Sequence, residues 1–143
     1  MLSTFKLSAK KKLTPSFKIR YNPPMKEMIA SLLDADSNVL FAYLFGSHSD
    51  GSADKSSDVD IAVYYEDTDI QKRLHLHHLL QKTLRKEVDL IVLNETKNIY
   101  LLEAILDQGI LLKDHPERID FELRKEHEIK DFKAFRKYID AAV

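Results

Sequence analysis

Apolar and polar positions divide the chain into short, uninterrupted apolar runs separated by longer amphipathic stretches. Val39 to Phe45 is apolar at every position, which predicts a strand covered on both faces. A second strand is predicted from Asp58 to Tyr65, a third from Glu87 to Leu93, and a short last one over Ile110 to Leu112. Behind Pro23-Pro24, Met28, Ile29, Leu32 and Leu33 form one helical face, so a helix is predicted from Met25 to about Leu33. Ile70, Leu74, Leu76, Leu79, Leu80 and Leu84 give a second helical stripe, running to Arg85, with Thr68 and Gln71 spaced as a capping box. Asn94 reads as the N-cap of a third helix, whose buried positions are Ile99, Leu102, Ile105 and Leu106 and which Gly109 ends. From Pro116 to Val143 the chain is charged and helical in pattern. Ile119, Leu123, Ile129, Phe132, Phe135, Tyr138 and Ile139 recur there at irregular spacing. These elements predict an α/β (α+β) fold, a small mixed sheet packed by helices with a helical C-terminal extension.

Composition narrows the class. A chain of 143 residues is long enough for one domain with a core of its own. A net charge of −1 offers no bulk attraction to nucleic acid, and no direct nucleic-acid binding is expected. With no cysteine, disulfides and thiolate metal sites are excluded, which fits a reducing compartment. No run of 18 apolar residues occurs, and the basic N-terminus lacks an apolar signal-peptide core, so the expected location is the cytoplasm, without a membrane partner. Residues 1–22 stand apart. Lys6, Lys10, Lys11, Lys12, Lys18 and Arg20 precede the first acid, Glu27. They read as a flexible segment, with Met25 as an alternative start, or as a basic arm for RNA or an acidic partner. Residues 23–115 read as the main domain, and 116–143 as an extension that either packs on it or offers Phe132, Phe135 and Tyr138 to a partner.

The chemistry concentrates between the first two strands. Val39–Phe45 runs into Gly46-Ser47, ten residues follow, and Asp58-Val59-Asp60 opens the next apolar run. On a strand, alternation places Asp58 and Asp60 on one side with Val59 and Ile61 on the other. Two carboxylates on one face repel unless a cation lies between them, and hard oxygen ligands suit Mg²⁺ or Mn²⁺. Mg²⁺ is commonly held by one or two carboxylates together with nucleotide phosphates. Gly46 permits close approach of backbone to ligand, and the Ser47 hydroxyl can donate to a phosphate. Asp89 lies in the third apolar run. If that strand neighbours the second, Asp89 faces the same cleft, where it can complete a two-metal site or act as general base on an incoming hydroxyl. His75, His77 and His78 lack the i, i+4 spacing of a metal pair and read as a solvated helix face.

Gly46-Ser47, ten residues and Asp58-Val59-Asp60 together resemble the GS-x10-DxD signature of the polymerase-β-like nucleotidyltransferase superfamily, and Asp89 stands where that family has its third carboxylate. The resemblance covers roughly Val39 to Leu112. The short chain is similar to the minimal nucleotidyltransferase (MNT) branch and, within it, to MntA-type antitoxins of HEPN/MNT toxin–antitoxin systems. It implies a polymerase-β-like fold in which Asp58, Asp60 and Asp89 hold two Mg²⁺ ions and Gly46 and Ser47 hold the phosphates of ATP. It further implies transfer of AMP to a tyrosine of a HEPN-domain RNase toxin, with which the chain forms a hetero-oligomer. Two other readings remain open: a small-molecule nucleotidyltransferase of the aminoglycoside-modifying kind, and a non-catalytic antitoxin that acts by contact alone. One departure from the pattern is local. Many relatives carry Arg just before the second glycine, where this chain has Asp50 before Gly51; His48 follows Ser47, and Lys55 can return a positive charge to the loop.

Overall fold

A computed structural model describes residues 25–51, 53 and 57–142; the expectations for residues 1–22 and for Lys55 lie outside them. The elements are α1 (Met25–Asp34), β1 (Val39–Phe45), α2 (Ser47–Asp50), β2 (Val59–Tyr65), α3 (Ile70–Leu84), β3 (Val88–Val92), α4 (Ile99–Gln108), β4 (Ile110–Lys113) and α5 (Glu117–Ala142). The four strands form one sheet in the order β3-β2-β1-β4. β1 is antiparallel to β2 and β4, whereas β2 and β3 run parallel, joined through α3. The sheet is mixed, as the alternation of elements predicts.

β1 is central and buried along its length because both sheet faces are covered. Val39, Ala42 and Leu44 face α1 and α3, packing with Ile29, Leu33, Leu76 and Leu80. Phe41, Tyr43 and Phe45 face α4 and α5, packing with Leu102, Ile105, Phe121 and Ile129. A register irregularity between Val39 and Phe41 breaks strict alternation there, so Leu40 and Phe41 join the same cluster. In β2, Val59, Ile61, Val63 and Tyr65 join the α1/α3 side, leaving Asp60 and Ala62 on the opposite face.

Several local expectations shift. α3 is capped by Asp69, whose carboxylate accepts from the Lys72 N–H, so the Thr68–Gln71 capping box does not form. Ile70 and Leu74 are about half exposed and leave the buried stripe to Leu76 and Leu80. Asn94 does not cap α4; Asn98 does, accepting from the N–H groups of Tyr100 and Leu101. Asn94 instead ties β3's end to β2, accepting from the Tyr65 N–H at 2.9 Å and donating to the Tyr65 carbonyl at 2.8 Å. Gly109 ends α4 in extended rather than left-handed backbone. It is needed because a Cβ there would collide with the Ile105 carbonyl oxygen.

α5 is the C-terminal extension, and its two halves differ. Phe121, which the periodicity reading passed over, is 1% exposed and meets Phe41 at 5.4 Å and Tyr64 at 5.3 Å between ring centroids. Tyr43 donates its hydroxyl to Glu122, which also accepts from Arg118, itself bonded to Asp114. Burial and this carboxylate hold the Tyr43 phenol well above its usual range. Farther on, Phe132 meets Tyr100 edge-on and Lys133 pairs with Glu103. Beyond Phe132 every described residue is exposed, including Phe135 at 62% and Tyr138 at 66%. Among the described residues, no helix is long and apolar enough to cross a membrane.

Phe121→Ala is expected to lower stability by about 3–5 kcal/mol, the range for deleting a fully buried phenyl group. Phe135→Ala should change it by less than about 0.5 kcal/mol. Urea denaturation followed by circular dichroism checks both; equal losses would show that the second half of α5 is also anchored.

Candidate active site

The candidate site lies at one end of the sheet, where β1 finishes and β2 and β3 begin. Gly46 follows β1 with φ 75° and ψ −152°, a conformation that side chains rarely adopt. A Cβ at this position would collide with Asp60 Oδ2, so the glycine backbone lies directly against that carboxylate. Sequence spacing alone did not show this contact. The register explains it, since Asp60 pairs with Phe45, the residue before Gly46. Ser47 opens the single turn of α2, an element not anticipated from the polar loop. The turn is closed by the backbone and side chain of Ser49, which donate to the Gly46 carbonyl at 3.0 and 2.9 Å.

The parallel pairing of β2 with β3 sets Asp60 directly opposite Asp89. The two therefore share a sheet face, as expected if the third strand neighbours the second. Asp58 sits one residue before β2, which begins at Val59 rather than at Asp58, and it is exposed; so is Asp89. Asp60 is half-buried between them. Burial, then the negative charges of Asp89 and Asp58, raise its carboxyl above the usual range, and His48 acts in the opposite direction. Both of the other aspartates thus act on Asp60, and Gly46 touches it.

Among the described residues, no three His, Cys, Asp or Glu side chains close into a metal cage. The donor set matches a more open arrangement. Carboxylate oxygens crowded by like charge, with open solvent beside them, suit a hard divalent cation that keeps positions for phosphate oxygens.

His48 was noted in sequence only as the residue after Ser47. Its Nε2 lies 3.3 Å from the Ser57 carbonyl, so the ring spans from α2 to the residue before Asp58. The expected solvated histidine face holds for His75 and His78, which are exposed. His77 departs from it, its Nε2 donating to the Val88 carbonyl at 2.6 Å. The Val88 N–H in turn donates to Gln81, so α3 grips the first residue of β3 by both backbone groups. The side chain of Asp50, the departure from the family pattern noted in the sequence, lies outside the described residues.

The polymerase β nucleotidyltransferase family matches residues 27–118, which span α1, the whole sheet and the start of α5. The chain belongs to this family. The protein adenylyltransferase MntA of Shewanella oneidensis is 36% identical to this nucleotidyltransferase over 84 residues, 58% of this chain and 60% of that protein. The match thus spans less than two thirds of that relative's length. Among solved structures, a toxin–antitoxin structure with AMP-PNP contains a chain with 28% identity and a TM-score of 0.67, covering 83% of this chain and 97% of that one. A structure of a tri-AMPylated Shewanella oneidensis HEPN toxin in complex with MNT antitoxin gives 27% identity and a TM-score of 0.62, covering 82% and 94%.

The raised carboxyl of Asp60 makes a pH prediction. Because its folded pKa lies above the unfolded one, ionising Asp60 costs stability, and that cost appears as pH rises from the ordinary aspartate range through the raised value. Asp60→Asn should therefore raise stability near neutral pH, and the gain should fade as pH falls through the ordinary aspartate range and be gone below it, where the carboxyl is neutral in both the folded and the unfolded wild type. Calorimetry across pH checks this; a variant less stable than wild type at pH 7 would contradict it.

Proposed function

We propose that this nucleotidyltransferase is an antitoxin enzyme that moves AMP from ATP onto a tyrosine hydroxyl of a HEPN-domain RNase toxin and so neutralises it. The observation that carries the reading is the in-register pairing of Asp60 with Asp89 against Gly46. The likeness to MntA and to toxin–antitoxin structures, one with AMP-PNP and one with an AMPylated toxin, supports the acceptor class. A cytoplasmic location, where ATP is made, belongs to the same reading.

In this reading Asp58, Asp60 and Asp89 hold Mg²⁺, with two ions as the expected number. When bound, Mg²⁺ neutralises charge on the phosphates and on the leaving pyrophosphate. The protein supplies the rest through position. Gly46, without a side chain, lets the β- and γ-phosphates approach the backbone at the end of β1, and the Ser47 hydroxyl donates to them. The acceptor oxygen forms a bond to the α-phosphorus as the bond from that phosphorus to the α–β bridging oxygen breaks. The hydroxyl proton passes to a carboxylate, a role this reading gives to Asp89. Holding acceptor and phosphate in line lowers the entropic part of the barrier.

The domain division belongs to the same reading. Residues 23–115 carry the transfer chemistry, and 116–143 supply the toxin-facing element. The first half of α5 is anchored through Phe121 and Glu122, while Phe135, Tyr138 and Ile139 are presented outward to the toxin. Aromatic side chains beside Arg136 are of the type that anchor interfaces.

Two measurements test the proposal. The full chain, incubated with Mg²⁺, α-labelled ATP and a cognate HEPN-domain toxin, should place label on the toxin and stop its RNase activity. No label on the toxin, or label only on an aminoglycoside, would reject the acceptor. The variant carrying Asp58→Ala and Asp60→Ala should fold and lose transfer by ~10²–10³-fold or more, the scale for removing preorganised electrostatic groups from a reacting centre. Full activity in that variant would reject the metal assignment.

A further inference from the structure

The two exposed aspartates of the site have a feature in common. Each is preceded by a residue whose carbonyl oxygen receives a histidine Nε2. His48 reaches Ser57, the residue before Asp58, at 3.3 Å. His77 reaches Val88, the residue before Asp89, at 2.6 Å. A carbonyl oxygen only accepts, so in both pairs Nε2 carries the proton and donates it.

A bond to that carbonyl constrains the aspartate. The peptide unit is planar, so holding the oxygen of residue i−1 fixes the plane that ends at the N and Cα of residue i. For Asp58 the following peptide is held as well, because the Val59 N–H donates to the Glu87 carbonyl at 3.0 Å. Both peptide planes flanking Asp58 are then set, although Asp58 itself lies outside the strand. For Asp89 the following peptide belongs to the β2–β3 ladder. Gln81 adds a second bond to Val88 through its N–H at 3.1 Å. Asp60 needs no such device, since it lies within β2 with β1 on one side and β3 on the other. The histidines therefore serve the two aspartates at the margin of the ladder.

We propose that His48 and His77 are positioning residues for the transfer reaction, each fixing through a carbonyl the backbone from which one outer aspartate meets the cation beside Asp60. The inference rests on the metal-carboxylate reading of the site. It concerns the rings as N–H donors and requires no change in their charge. The two histidines differ in origin, one from α2 and one from α3, so one sheet end receives equivalent support from two directions. Outer-shell partners of this kind are worth about 10–100-fold in metal affinity or activity when removed.

The test uses the full chain. His48→Leu and His77→Leu keep much of the side-chain bulk and remove the donor; His48→Gln and His77→Gln place an amide N–H at similar reach. The first readout is the Mg²⁺ concentration that half-saturates the thermal shift of the protein, which needs no turnover. The second is kcat and KM for ATP in the transfer assay. Each Leu variant should need about 10–100-fold more Mg²⁺ and lose kcat more than KM, while each Gln variant recovers to within about 5-fold of wild type. His75→Leu and His78→Leu, on exposed positions of α3, should match wild type in both assays. Leu variants with unchanged Mg²⁺ response overturn the proposal. Gln variants as impaired as the Leu variants also overturn it, because the ring itself would then be what matters. Should a Leu variant not fold, the comparison passes to Gln against the shorter Asn, and equal behaviour of those two counts against the proposal. A wild type that responds to Mg²⁺ but transfers no AMP would instead reject the transfer reading and leave the positioning test standing. A wild type with no Mg²⁺ response overturns both.

Discussion

Like charge drawn together at one end of a sheet is the constraint on which the rest of this molecule depends. β2 and β3 pair in parallel so that Asp60 faces Asp89, and Asp58 enters the same end one residue before the ladder. Burial and its two neighbours make Asp60 harder to ionise than an ordinary aspartate. A fold maintains such an arrangement only when the surrounding packing over-determines it, because the carboxylates themselves oppose it. That packing is visible on both faces of the sheet. Ile61 and Val63 are fully buried against α1 and α3, and Ala62 is fully buried toward α4 and α5. The glycine at the end of β1 completes the arrangement, since no other residue allows the backbone so near the central carboxylate.

The helices divide the remaining work. α1 and α3 cover one face and reach the site through His77 and Gln81, which hold the start of β3. α4 and the first half of α5 cover the other face. Phe121 packs at an angle against the stacked rings of Phe41 and Tyr64, and the Tyr43–Glu122–Arg118–Asp114 chain of bonds ties α5 to the strand that leads to Gly46. Position of the C-terminal helix and position of the phosphate turn are thus set by the same strand. The outer half of α5 has no comparable packing, and its apolar side chains remain outside the core.

Where local reading and the folded chain part, one physical reason recurs. Asn94 is a good capping residue by type, yet its amide serves the two backbone groups of Tyr65, 29 residues away. Thr68 and Gln71 have the spacing of a capping box, yet Asp69, one residue later, offers a carboxylate to the same turn. His77 lies in a run of histidines that looks solvated, yet its ring faces β3 and donates to the Val88 carbonyl. In each case a polar side chain had several possible partners of similar local merit. The one it took depended on which backbone groups the sheet left in need of a bond.

The apolar runs by themselves determined the four strands, the long helices and a mixed sheet covered on both faces, because burial of apolar area is encoded by periodicity within each segment. They also placed Gly46, Ser47, Asp58, Asp60 and Asp89 at segment ends, where side chains can meet a ligand. The tertiary structure alone decided that Asp60 lies opposite Asp89 and against Gly46, that Phe121 rather than Phe135 anchors the last helix, and that His48 and His77 bond to the residues before the outer aspartates. Register, helix tilt and side-chain–backbone bonds are relations between segments distant in sequence, and they are settled only when the whole core closes.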